Sequence, residues 1–206
     1  LSVNYNPAGP TDLVASSSFI ISCTRAGGDP ASVAYTFAAD NGLHFQGSSR
    51  NVQLGTATYS YGLYKDAGAS PSQPWGTAPP AQREFSGTID FGTGLSVAFS
   101  TPFYLKVATG QPVGPAGLYT DTVTTTLTYG TAAYLGAFNV NVNSVTTCTL
   151  TAPASVTFNY SSFQAAPAAA SANFNVNCTT GLPYTMALDT AAPITDDAVN
   201  LTYSLS

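Results

Sequence analysis

The sequence predicts an all-β protein: two antiparallel β-sandwiches in tandem, the second incomplete. Three observations predict it. Apolar residues alternate with polar ones in run after run, the pattern of strands with one buried and one wet face. Val, Ile, Tyr, Phe and Thr fill those runs, and these are the residues that fit a pleated surface. The third is self-similarity at an offset of 155 residues: Tyr5 stands 18 residues before Cys23, and Tyr160 stands 18 before Cys178. A fixed offset marks two copies of one structural unit.

The elements follow in chain order. Asn4-Tyr5 opens the first copy and is echoed by Asn159-Tyr160. Residues 19–24 form a strand that residues 174–179 repeat. From Asn173 to Cys178, Phe174, Val176 and Cys178 face one way and three asparagines the other. Residues 26–30 and the Asp40-Asn41-Gly42 triplet are turn clusters; residues 35–40 recur at 184–189. Tyr59, Tyr61 and Leu63 alternate, as do Leu95, Val97 and Phe99, and then Phe103, Leu105 and Val107. Residues 70–80 and 110–117 are Pro/Gly-rich connections. In residues 122–129, Val123, Leu127 and Tyr129 share one face and threonines the other. Strands spaced in this way between turn clusters indicate a sandwich. The Ala-rich stretch 165–172 is interrupted by Pro167 and reads as a loop. Residues 59–64 are echoed by 201–206, where the sequence stops in mid-copy. About half of the second sandwich is therefore expected beyond this sequence.

Between the copies, residues 138–145 alternate cleanly from Phe138 through Val140 to Val142, with Val145 close behind. They follow the last long strand of copy one after a Gly-containing stretch, 130–136. One reading makes them a hairpin return that finishes the first sandwich. The other makes them the first strand of copy two.

Composition narrows the class. Charged residues are 7% of the 206, against about 25% in ordinary soluble domains. The surface is therefore Thr, Ser, Asn, Gly and Ala. Disorder is excluded, since disordered chains are charged and poor in aromatics, whereas this one has 12 Tyr and 11 Phe. A net charge of −5 with five Lys and Arg, which do not cluster in sequence, excludes nucleic acid. No apolar run reaches the length of a membrane span. No signal peptide is visible; a mature secreted form would have lost it.

The three cysteines suit an oxidising compartment. Cys148 and Cys178 lie 30 residues apart inside copy two. A disulfide there would constrain the unfolded chain by about 3–4 kcal/mol on the loop-entropy model. The matching first cysteine of copy one would fall before Leu1, so the partner of Cys23 is expected upstream. The alternative is a buried free thiol.

Catalytic constellations are poor. His44, the one histidine, lies beside a turn and reads as a strand-end residue rather than part of a triad. There is no zinc-type motif. Asp189, Asp196 and Asp197 fit no calcium loop and read as solvated turn carboxylates. No cofactor and no metal are indicated. The candidate surface is made of loops. Trp75, the one tryptophan, lies between Pro74 and Pro79 in the long loop 67–82. It admits two readings, an exposed binding anchor or a cover over one end of the core. Leu43 with Phe45, and the loop around Val113, would complete an apolar contact patch if exposed together.

These residues resemble a known family. Residues 117–124, Gly-Leu-Tyr-Thr-Asp-Thr-Val-Thr, with Leu127 and Tyr129 are similar to the closing strand of spore coat protein U domains. Leu63-Tyr64-Lys65-Asp66 and Trp75-Gly76 are similar to that family's mid-domain motifs, and the Cys-Thr strand ends at Cys23 and Cys178 fit as well. The resemblance implies immunoglobulin-like, pilin-type sandwiches in an archaic chaperone–usher pilus. It implies as partners a periplasmic chaperone, an usher and a neighbouring pilin subunit that donates a strand. It further implies a secreted, cell-surface protein acting in attachment to abiotic or host surfaces and in biofilm formation. Two tandem copies suggest the tip adhesin: residues 1–145 as the binding domain, closed by strand 138–145, and residues 146–206 as the first half of a pilin domain. The alternative is a structural spore-coat or shaft protein without a ligand.

Overall fold

The computed structural model describes residues 1–76, 83–153 and 168–187, and, between the last two, residues 155, 157, 159, 161 and 163–166. Pro79, Tyr160, the three aspartates 189, 196 and 197, and the repeat at 201–206 lie outside the described residues. Among the described residues the regular structure is entirely strand: β1 (Ser2–Tyr5), β2 (Leu13–Thr24), β3 (Ser32–Ala39), β4 (Arg50–Leu54), β5 (Ala57–Tyr64), β6 (Phe85–Asp90), β7 (Ser96–Val107), β8 (Gly117–Tyr129), β9 (Ala132–Ser144), β10 (Cys148–Thr151) and β11 (Asn175–Cys178).

The first nine strands form one continuous hydrogen-bonded sheet, ordered β1-β9-β8-β4-β5-β7-β2, with β3 on β8 and β6 on β3. Only one residue pair, Gln53↔Thr120, joins β4 to β8. At that hinge the sheet folds into two layers. Rings from strands that share no ladder meet across the gap: Tyr59 of β5 on Tyr119 of β8 at 4.5 Å, Tyr5 of β1 on Tyr59 at 5.1 Å, and Phe103 of β7 on Phe138 of β9 at 5.4 Å.

The predicted alternation sets the inner faces. Tyr59, Tyr61 and Leu63 are buried, as are Phe103, Leu105 and Val107, and both sets belong to one core with Tyr119, Val123, Val140 and Val142. Leu95 differs: it lies just outside β7 and is exposed. Two hairpins use glycine where the turn demands a left-handed backbone. Gly55 (φ +59°) joins β4 to β5, and Gly130 (φ +54°) joins β8 to β9.

The closing strand is longer than the alternation implied. The turn at Gly130 spans two residues, Tyr129 pairing with Ala132, so β9 starts at Ala132 rather than 138. Residues 133–137 are exposed on both faces and carry no period-two signal. Val140 and Val142 are fully buried and Phe138 packs against the core. The next inward position is Ser144; Val145 lies past the strand's end and is half-buried. The Val145 N–H donates to the Tyr5 carbonyl at 3.0 Å. β1 covers the far edge of β9 in parallel, from Ser2↔Asn141 to Tyr5↔Ser144.

The second repeat contributes the β10–β11 hairpin, in which Cys148 and Cys178 face each other in register and form a disulfide. Leu150, Phe174, Tyr184 and Met186 around it are all exposed. Cys23 has a free thiol that burial makes harder to ionise. Among the described residues no helix is long and apolar enough to cross a membrane.

Candidate binding face

Asp121 of β8 organises the loop that carries Leu43 and Phe45. Its carboxylate is buried, accepts the Tyr61 hydroxyl at 2.6 Å and accepts the His44 N–H at 3.1 Å. Burial, and then this hydrogen bond, push the Tyr61 phenol well above its ordinary pKa of 10.0. The loop turns at Gly42 (φ +79°), where any Cβ would run into the Asp121 carboxylate. Asp40 accepts the Gly42 N–H at 2.9 Å, and the Leu43 N–H reaches the Thr122 carbonyl at 3.0 Å. With its backbone pinned, the loop presents two large apolar side chains to solvent: Leu43 is 73% exposed and Phe45 41%.

Trp75 is not a surface anchor. It is 1% exposed and packs against Phe19, Phe37, Phe85, Phe103 and Phe138, the last at 5.8 Å in a stacked pair. Its Nε1–H donates to the Phe37 carbonyl at 3.0 Å. The reason lies in the loop backbone. The Trp75 N–H bonds the Leu63 carbonyl at 2.8 Å and the Lys65 N–H bonds Gln73 at 2.9 Å. The segment therefore lies beside the end of β5 and turns its indole inward. Of the two readings open to a loop tryptophan, the core cover holds.

Val113 leaves the patch as well. It is half-buried, and its carbonyl accepts the Thr180 hydroxyl at 3.1 Å, which docks the second repeat there. Pro74 is half-buried but stays at the surface with Phe45: both line one cavity of about 320 Å³. Leu43 and Val113 do not line it.

That cavity holds residues the sequence did not single out. Arg50, Arg83 and Lys106 all line it, so cations scattered along the chain converge in space. The Arg50 Nε donates to the Asp40 carbonyl at 2.8 Å and its Nη2 to the Asp40 and Ala39 carbonyls. Burial lowers its pKa; Tyr61, Asp40 and Asp121 oppose the fall and Arg83 adds to it. Lys106 pairs with Asp12 at 2.7 Å at the surface. No sequence signal could join these positions, because only the β4–β5–β7 ladder and the loop returning at Arg83 bring them together. Among the described residues, no group of three or more His, Cys, Asp or Glu is placed to hold a metal ion.

The Spore Coat Protein U domain model matches residues 3–126 and 134–202. The chain belongs to that family, whose model matches it twice. No curated protein gives a significant match. Three solved structures are similar. The CooA pilin subunit from enterotoxigenic Escherichia coli is 13% identical, with a TM-score of 0.42 over 70% of this chain and 87% of that one. The CsuC–CsuE chaperone–tip adhesion subunit pre-assembly complex from the archaic Csu pili of Acinetobacter baumannii is 10% identical, with a TM-score of 0.44 over 88% and 69%. The CupB6 tip adhesin from Pseudomonas aeruginosa is 14% identical, with a TM-score of 0.42 over 70% and 39%.

Proposed function

We propose that this chain is a non-enzymatic subunit of a chaperone–usher pilus and serves as its two-domain tip adhesin. Residues 1–145 are the front, surface-binding domain. Residues 146–206 open the rear, pilin-like domain. One observation carries the reading. β9 lies partly inside the second family match, yet it pairs with β8 from Tyr129↔Ala132 to Gly117↔Ser144 and fills the first core with Val140 and Val142. In this reading the strand that precedes the second repeat closes the first in cis. The first domain then needs no donor. The second, with its exposed apolar hairpin, takes a strand from a periplasmic chaperone and later from the neighbouring subunit. The usher exports it, and the mature protein stands on the cell-surface pilus.

Attachment to abiotic or host surfaces runs through the pinned loop, where Leu43 and Phe45 stand exposed with Pro74 nearby. The test joins localisation to mutation. Immunogold should mark this chain at one end of each fibre; label along the whole shaft would instead support a structural coat or shaft subunit. L43S with F45S should reduce surface attachment and leave the melting temperature unchanged.

A further inference from the structure

We infer that the groove over Gly62 is a binding site for an anionic saccharide, one whose sugar carries a carboxylate or a sulfate. This deepens the adhesin reading by naming a ligand class for the same face, and it rests on that reading for its biological setting.

Charge is the first argument. The chain has ten Asp and Glu against five Lys and Arg. Arg50, Arg83 and Lys106 nonetheless line this one cavity, and no carboxylate is among its described lining residues. A chain so poor in cations has placed most of them around one concavity.

The state of those cations is the second. Arg50 is committed to the Ala39 and Asp40 carbonyls, and Lys106 to Asp12. Among the described residues, no hydrogen bond or ion pair engages the Arg83 guanidinium. It shares the cavity lining with Arg50 and adds a small like-charge repulsion, the least of the influences on that group after burial, Tyr61, Asp40 and Asp121. An anion between them relieves the repulsion, and a guanidinium fork fits a carboxylate or sulfate bidentately. One uncommitted fork suits one anionic group, not a polyanion.

Shape is the third. β4 leaves β5 at Arg50↔Tyr61, and Pro74 joins β5 only at Tyr64. The groove opens between them. Its floor is Gly62, where a Cβ would meet the Tyr64 ring at 2.6 Å. The missing side chain lets Tyr64 lie along the strand as a wall. Ser48 offers a hydroxyl and Phe45 an apolar edge to the sugar. At about 320 Å³ the space lies at the small end of ligand sites, about 300–1,000 Å³.

Calorimetric titration of the full chain at low ionic strength tests this. The probes are a sulfated disaccharide, a uronic-acid disaccharide, their neutral counterparts and inorganic sulfate. One or both anionic disaccharides should bind about tenfold or more tighter than the neutral sugars and than sulfate. R83Q should lose about fivefold or more of that affinity. So should S48D, which sets a carboxylate at an exposed position and leaves the fold alone. Equal binding of neutral sugars, equal binding of inorganic sulfate, or wild-type affinity in both variants would overturn the site. Attachment of piliated cells is scored separately. Undiminished attachment by L43S cells would count against the adhesin reading, while the titration, whose groove Leu43 does not line, upholds the site.

Discussion

Replacing Trp75 with alanine should unfold the first sandwich rather than blunt a binding surface. The indole is 1% exposed and touches five phenylalanine rings contributed by β2, β3, β6, β7 and β9. Truncating a buried aromatic costs about 3–5 kcal/mol, through lost transfer energy and the cavity left behind. The Phe37 carbonyl also loses the indole N–H it accepts at 3.0 Å, which adds about 1–2 kcal/mol. The total, about 4–7 kcal/mol, is comparable to the whole stability of many domains. At about 2–4 °C per kcal/mol for a chain of this size, the melting temperature should fall by on the order of 10–25 °C. Thermal unfolding followed by near-UV circular dichroism measures this. Because Trp75 is the one tryptophan, wild-type emission reports the same core. P74A, which touches only the surface side, should melt like wild type. A W75A protein melting within about 2 °C of wild type would refute the packing argument.

Three further expectations follow from the packing and bonding of the strands. V140N buries an amide in a fully enclosed position of β9 and should abolish the main cooperative transition in urea; an unchanged midpoint would mean that β9 is not part of the first core. Tyr61 is held protonated by burial and by Asp121, so its folded pKa lies above the unfolded value of 10.0. Its contribution to stability is full below pH about 10 and falls as pH rises past that value, when the unfolded chain releases a proton the native chain keeps; Y61F should flatten the loss in denaturant titrations between pH 9 and 11, roughly. Reducing Cys148–Cys178 releases about 3–4 kcal/mol of chain constraint, confined to the hairpin; limited proteolysis should then cut within 148–187 while the fragment ending near Ser144 survives.

Much of the fold was legible because its signals are local. Period-two alternation marked the inward faces of β5, β7, β8 and β9. The resemblance to spore coat protein U domains came from short strings that the family match then covered, except for Leu127 and Tyr129. What sequence hid was partnership across space. Nothing local says that Gln73 and Trp75 bond back to Lys65 and Leu63, yet those two bonds turn Trp75 inward. The Pro/Ser/Ala loop around it carries the signature of an exposed segment, and its backbone overrides that signature. Cation clustering was invisible for the same reason: Arg50, Arg83 and Lys106 meet only after three elements have packed. Leu43 and Phe45 were legible because exposure follows directly from a turn, once Asp121 is there to pin it.

β9 is where the two kinds of information pull apart, and the conflict is instructive. By descent all but its first two residues belong with the second family match, which begins at residue 134. By packing it belongs with the repeat before, across 13 residues of paired strand. The register leaves no freedom between these. A slip of one residue would turn Asn139, Asn141 and Asn143 inward and Phe138, Val140 and Val142 out. Three unpaired amides in that core would cost more than the sandwich has to give. Once β8 and β9 meet, the alternation therefore locks the strand onto the core that β8 lines. Among the described residues that follow β9, Leu150 and Phe174 lie in solvent. In the tip-adhesin proposal, closure of one domain and openness of the next would then have a single cause, so in-cis closure and dependence on a neighbour's strand stand or fall together.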